Sequence, residues 1–183
     1  MKSIRLSGVL FVTLLFAACS APAPAPAPEK PAAPAPPAQK AYGNLAEMMR
    51  AIPFPASNLL FDTQTNDPGV KKEGGGDSAT ARFSGVYGGW QAVELAAIAL
   101  QETANLMTVP GRTCSNGRPV PLDREDFNKA IQGLADAGAA ALKAAQSKSQ
   151  DAMIEVTGQV ADSCAVCHEV YRDKPDVKDR CIP

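Results

Sequence analysis

Histidine is almost absent from the sequence, because His168 is the only one among 183 residues. With no second imidazole there is no obvious acid or base for a peroxidase-type reaction, and no other catalytic constellation is visible. We therefore expect a protein that is not an enzyme. Charge of one sign is also lacking, since 18 Lys and Arg face 19 Asp and Glu, for a net charge of −1. This balance gives no indication of nucleic-acid binding.

Strand-like alternation of apolar and polar residues is lacking as well, and the Gly-Gly-Gly run at 74–76 lacks the Gly-Lys-Ser/Thr ending of a phosphate-binding loop. Apolar residues instead recur at spacings of three and four, which is typical of amphipathic helices. The sequence predicts an all-α fold, an antiparallel four-helix bundle with a short first helix and a long loop before the second. The predicted helices cover residues 44–52, 83–109, 123–146 and 149–174.

Prolines and caps set these boundaries. Pro53 and Pro55 are expected to end the first helix and to leave mostly loop up to residue 80, with a helical turn at 57–62. Asp123 is the predicted N-cap of the third helix, and the fourth begins near Ser149 and ends before Pro175.

Two N-terminal segments have no place in a packed core. Residues 1–18 have a basic start and a short apolar run, as in a signal peptide, and they lead into Leu-Phe-Ala-Ala-Cys. This ending resembles a bacterial lipobox and makes Cys19 the predicted lipidation site; secretion without a lipid and an uncleaved anchor are the alternatives. Residues 19–39, almost entirely Ala and Pro, predict a lipidated, semi-rigid tether. Residues 40–183 are then a periplasmic domain anchored to a membrane, the outer membrane being favoured over the inner.

The residues Cys164-Ala165-Val166-Cys167-His168 form the CxxCH arrangement of c-type haem attachment. Two thiols three positions apart on a helix can bind the two vinyl groups of a porphyrin, and the adjacent imidazole can reach the iron. The motif predicts one covalent haem c, linked through Cys164 and Cys167, with His168 as the proximal iron ligand.

Two other uses of the cysteines stay open. A thioredoxin-like redox pair would place CxxC at the start of a helix in a βαβ unit, whereas this pair lies near the end of one. A zinc site could be formed by Cys114, Cys164, Cys167 and Cys181, but it would leave the position of the histidine without a role.

The segment from Ser163 to Arg172, with CxxCH followed by xxYR, resembles the C-terminal signature of class II c-type cytochromes, the cytochrome c′ and cytochrome c-556 family. The resemblance implies that Tyr171 and Arg172 contribute to haem binding near the proximal side. A core tyrosine and a solvated arginine are the alternative. Family resemblance also allows a homodimer.

The resemblance further implies either an apolar residue or a methionine from the first helix on the distal side of the iron. In an up-down bundle, the start of the first helix lies at the same end as the CxxCH motif. Met49 or Met48 is therefore a candidate distal ligand, with Met49 slightly favoured, and packing in the core is the alternative for both.

The same topology brings Cys114 and Cys181 to the haem end of the bundle. In an oxidising compartment it predicts a disulfide between them, and two free thiols are the alternative. The leading functional expectation is one-electron transfer with a periplasmic or membrane redox protein as partner. A five-coordinate haem that binds nitric oxide or carbon monoxide is the main alternative, and a structural lipoprotein with an accessory haem is a weaker one.

Overall fold

The computed structural model describes residues 39–70 and 88–183, all of which belong to one compact unit that spans Pro37–Pro183. The predicted signal peptide, Cys19 and all but the last residue of the predicted tether lie outside the described residues. So do residues 71–87, which include the triple glycine and the predicted start of the second helix. Within the described ranges, no helix combines the length and the apolarity that crossing a membrane requires.

Five α-helices form the described part of the chain, with no β-strand in it. Helix α2 packs on α3, α3 on α4, α4 on α5, and α5 returns to α2, so that the four close into an antiparallel bundle. The short helix α1 continues the first arm of the bundle in front of α2. The all-α four-helix bundle is therefore confirmed, and it is formed by α1 (Leu45–Ala51), α2 (Pro53–Asp62), α3 (Gly89–Met107), α4 (Glu125–Gln146) and α5 (Gln150–Cys167).

Helix α2 corrects the expectation of loop after Pro53. Pro53 is its first residue and Pro55 its third. An N–H group in the first turn of a helix has no acceptor within the helix, so a proline there, which lacks the N–H group, removes no helical hydrogen bond. The prolines thus break the helix only at Ile52, after which the first arm resumes. Leu60, fully buried, anchors α2 in the core.

The predicted apolar stripes face the core. In α3, the stripe from Val93 to Met107 is buried throughout, and Phe127 of α4 is fully buried. Ser149 caps α5 as expected, since its side chain accepts a hydrogen bond from the amide of Ala152. The expected cap at Asp123 is wrong by one residue: Arg124 is the N-cap of α4, because a tight turn occupies the residues before it.

A buried arginine fixes the start of α1 at one end of the bundle. Arg112, in the loop after α3, is 5% exposed and donates hydrogen bonds to the carbonyl oxygens of Tyr42 and Gly43 at 3.2 and 3.1 Å. The amide of Leu45 donates to the carbonyl of Thr113 at 2.7 Å. The chain therefore enters the domain beside the end of α3, and α1 starts at the same end of the bundle as α5 ends.

Candidate cofactor site

A cavity of about 510 Å³ opens at this end of the bundle. It lies between α1 and α2, the end of α3, the start of α4, the end of α5 and the C-terminal tail. Its size falls within the range of about 300–1,000 Å³ typical of cofactor and ligand sites. Cys164, Cys167 and His168 all line it, so the CxxCH motif faces a partly open cavity large enough for a prosthetic group.

The two thiols sit in the last turns of α5, where they are partly buried. Burial raises the pKa of Cys164, and burial together with the neighbouring Cys164 raises the pKa of Cys167 to about 11. A catalytic redox cysteine needs the opposite, a pKa lowered by a helix N-terminus or by nearby cations. Protonated thiols at a helix C-terminus argue against the thioredoxin-like alternative.

His168 follows the thiols at a change of helix type. Residues His168–Arg172 form one π-helical turn, in which the amide of Asp173 donates to the carbonyl of His168 at 2.8 Å. Such turns are rare and often occur at functional sites. Partial burial, followed by the charge of Arg172, lowers the pKa of His168, so that its imidazole is neutral at neutral pH. A neutral imidazole is the form that binds a metal.

Tyr171 lies on the wall of the cavity and is 5% exposed. Its ring meets that of Phe127 edge to face, with centroids 5.0 Å apart. Its hydroxyl donates to Asp126 at 2.8 Å and accepts from the Arg124 guanidinium at 2.9 Å. Burial, then the hydrogen bond to Asp126, raises the pKa of Tyr171. The tyrosine thus joins the end of α5 to the start of α4.

The sequence did not point to Arg124 or Asp126 as partners of this tyrosine. Arg124 and Asp126 also form an ion pair at 3.0 Å, and the hydrogen bonds from Arg124 and then Tyr171 lower the pKa of Asp126. The signal available in the sequence was their position at the start of α4, level with the end of α5 in an antiparallel bundle.

The two candidate methionines occupy different places. Met49 lines the cavity, together with Met107 from the end of α3. Met48 is 5% exposed, belongs to the hydrophobic core and is not part of the cavity wall. Met49 is therefore the methionine of α1 that shares a space with His168.

Three arginines line the cavity: Arg50, Arg172 and Arg180. The described residues that line it include no aspartate or glutamate. Arg172, which is exposed, is neutralised by Asp173, to which it donates two hydrogen bonds of 2.7 and 3.2 Å. The Nε of Arg180 is buried without a hydrogen-bond partner among the described residues. An apolar cavity with cationic groups and an orphaned donor suits a large apolar ligand that carries anionic substituents, as haem does with its two propionates.

The structure brings Cys114 and Cys181 together at the edge of the cavity, with a Cα–Cα distance of 6.5 Å and the sulfurs joined. Both are therefore unavailable as zinc ligands. Across residues 39–70 and 88–183, no group of three or more His, Cys, Asp or Glu side chains is placed to hold a metal ion.

The family model described as cytochrome C′ matches residues 120–172. This region runs from the end of the loop after α3, through α4 and α5, to the last residue of the π turn, and it includes the CxxCHxxYR signature. No curated protein and no solved structure matches the chain. The matched region folds as two helices of a four-helix bundle whose cavity the signature lines, which supports the assignment to the class II c-type cytochromes, the cytochrome c′ family.

Proposed function

We propose that this protein is a membrane-tethered periplasmic cytochrome that carries one haem and transfers one electron at a time. Its family comprises covalent haem c proteins that serve as electron carriers or bind gases, and that are typically periplasmic. The observation that carries the choice of electron transfer is the position of Met49, which lines the same cavity as the CxxCH motif.

The residues of the cavity fit a covalent haem. Cys164 and Cys167 would hold it by thioether links, and His168, neutral at neutral pH, would supply the proximal ligand. When bound, haem iron supplies one-electron redox chemistry, and a His and Met ligand pair raises its reduction potential. The apolar wall, which includes Phe127 and Leu134, would limit the access of water to the site.

Attachment of the haem is tested by the spectrum of the pyridine haemochrome of protein matured in a host with cytochrome c assembly. We expect one haem per chain that resists extraction with acidified acetone. The double variant Cys164→Ala/Cys167→Ala should lose this resistance. Protein that contains zinc and no haem would refute the proposal.

The role of Met49 is tested by adding carbon monoxide to the reduced protein. With Met49 as the distal ligand, the oxidised wild type should be low-spin, and its reduced spectrum should change little with carbon monoxide. Met49→Ala should open the iron and give a large spectral shift. Met48→Ala is the matched control, since it removes the same side chain from the core one position earlier and should leave the coordination unchanged.

Gas binding is the second candidate function, and one observation favours it. Apolar side chains make up much of the cavity wall, and the sequence offers no second histidine to close the distal side. A high-spin wild type whose reduced spectrum shifts strongly with carbon monoxide would favour this function over electron transfer, and Met49 would then be a packing residue.

The tether and the partner belong to the same proposal. Lipidation at Cys19 and an Ala/Pro tether over residues 19–39 would keep the domain near a membrane, the outer membrane being favoured. The expected partner is a periplasmic or membrane redox protein, and the chain itself is a carrier rather than an enzyme. A signature for lipidation at Cys19 in mass spectra of the mature protein is the direct test.

A further inference from the structure

The C-terminal tail places a cationic side chain on the cavity wall. Arg180 lines the cavity, and its Nε is buried with no partner among the described residues. A buried donor of a charged group without an acceptor is strongly unfavourable, so an anionic partner is expected. The nearby carboxylate is Asp173, whose pKa is lowered by its hydrogen bonds with Arg172 first and by the charge of Arg180 to a smaller extent. Arg180 makes no hydrogen bond to it, so its Nε is still without an acceptor among the described residues.

The position of Arg180 is held by contacts on both sides of it. The side-chain amide of Asn116 donates to the carbonyl oxygens of Lys178 and Arg180, at 3.0 and 2.8 Å. The next residue, Cys181, is joined to Cys114, and its amide donates to the carbonyl of Tyr171 at 2.8 Å. Arg180 is thus fixed relative to both the loop after α3 and the turn that carries His168.

We propose that Arg180 binds a propionate of the haem, and that Asn116 and the Cys114–Cys181 bond are positioning groups that hold it there. The proposal rests on the haem of the proposed function. The carboxylate is the anion that the cavity lacks, and a guanidinium can meet it with two parallel hydrogen bonds. The tail lies outside the matched residues 120–172, so the match to the family model does not include Arg180.

The contact has an electrostatic consequence at the iron. Reduction adds one negative charge to the haem, and a nearby guanidinium stabilises that charge more than the oxidised state. Because the site is partly buried, solvent screens this interaction less than it would at the surface. Arg180 therefore raises the reduction potential, and its removal lowers the potential.

The experiment is a spectroelectrochemical titration of the haem-loaded full chain. Arg180→Gln is the test variant. Arg118→Gln is the control, because it removes the same charge from an exposed side chain that does not line the cavity. We expect a clear fall in potential for Arg180→Gln, a smaller change for Arg118→Gln, and partial recovery in Arg180→Lys.

The positioning role is tested by a double-mutant cycle. Cys114→Ala/Cys181→Ala should lower the potential in the same direction as Arg180→Gln, and combining the two changes should add little, because each acts on the same contact. If the cysteine variant does not fold, Asn116→Ala loosens the tail with the bond intact and should give the same non-additive result.

Two results would overturn the inference: equal shifts for Arg180→Gln and Arg118→Gln, or full additivity in the cycle. The haemochrome spectrum keeps this failure separate from that of the proposed function. A wild type without covalent haem refutes the proposed function, whereas a haem-loaded protein whose potential ignores Arg180 refutes only the role of Arg180.

Discussion

Replacement by alanine is expected to have opposite effects on stability at the two glycines of α4, Gly133 and Gly138. A methyl group added at the buried Gly138 would lie 2.8 Å from the Cγ of Gln101, 3.0 Å from its backbone nitrogen and 3.2 Å from the carbonyl oxygen of Ala97. The Gln101 side chain can move, but the two backbone atoms belong to α3 and can shift only with that helix. A methyl group at Gly133 would meet nothing within 4 Å. Gly138 therefore permits the close approach of α3 and α4.

The magnitudes follow from these contacts. Alanine is favoured over glycine inside a helix by about 0.5–1 kcal/mol, which applies at both positions. Overpacking typically costs about 1–3 kcal/mol, and it applies only at Gly138. We expect Gly133→Ala to raise the free energy of unfolding by about 0.5 kcal/mol, and Gly138→Ala to lower it by about 1 kcal/mol.

Urea unfolding of the haem-loaded protein, followed by circular dichroism, measures both values on the same scale. In thermal unfolding, a change of 1 kcal/mol corresponds to roughly 2–4 °C for a domain of this size. Equal stabilisation by both substitutions would refute the close helix approach at Gly138. Loss of stability at Gly133 would instead refute the open space assigned to that position.

Three further predictions concern the tail, the tyrosine and the anchor. The bond between Cys114 and Cys181 closes a separation of 67 residues, so replacing both by alanine should lower the free energy of unfolding by about 4 kcal/mol if the bond acts by reducing the chain entropy of the unfolded state. Non-reducing mass mapping should find the two cysteine peptides joined. Alkylation of both thiols in unreduced protein would contradict the bond. The pKa of Asp126 is held below its usual 3.8, so its contribution to stability is present above that pH and is lost as the pH falls through the folded value. Tyr171→Phe removes one of the hydrogen bonds that Asp126 accepts, so the pKa of Asp126 in the folded state should rise. In a pH series of melting curves, acid unfolding should then begin at a higher pH than in the wild type. An unchanged onset would contradict the hydrogen bond. Cys19→Ala should release the domain from membranes, as fractionation would detect, and a wild type that is already fully soluble would contradict the lipid anchor.

Helical periodicity was enough to predict the bundle, because each helix buries one stripe and the stripes repeat every three or four residues. The stripe from Val93 to Met107 is a clear case. The signal at Pro53 and Pro55 was ambiguous, since proline ends a helix from within but is well accommodated in its first turn. The sequence alone could not decide between these roles, because the helix immediately after Ile52 is stabilised by tertiary packing, in which Ala56 and Leu60 are buried in the core.

The residues of the site that are adjacent in the sequence could be predicted, whereas those that come from distant parts of the sequence could not. The CxxCH motif is local, so Cys164, Cys167 and His168 could be named from spacing alone. Arg180 carries no periodic signal, and its place at the cavity depends on the path of the tail. Asn116, in the loop after α3, carries no such signal either, and it binds that tail. The choice between Met48 and Met49 likewise depends on the rotation of α1, since adjacent residues on a helix are about 100° apart.

The buried Arg112 determines the point at which the N-terminal segment joins the domain. It binds the backbone at Tyr42 and Gly43, so the N-terminal segment joins the domain at the end that holds the cavity. With Cys19 in a bilayer, as proposed above, the residues between Cys19 and Tyr42 would limit how far the domain can move from the membrane surface. Because Tyr42 and Gly43 lie at the cavity end of the domain, attachment to a membrane through this segment would act on that end. A redox partner in the same membrane, as proposed above, would then be presented with the cavity end of the domain. Shortening the tether would raise the effective concentration of that partner until the tether is too short to reach it.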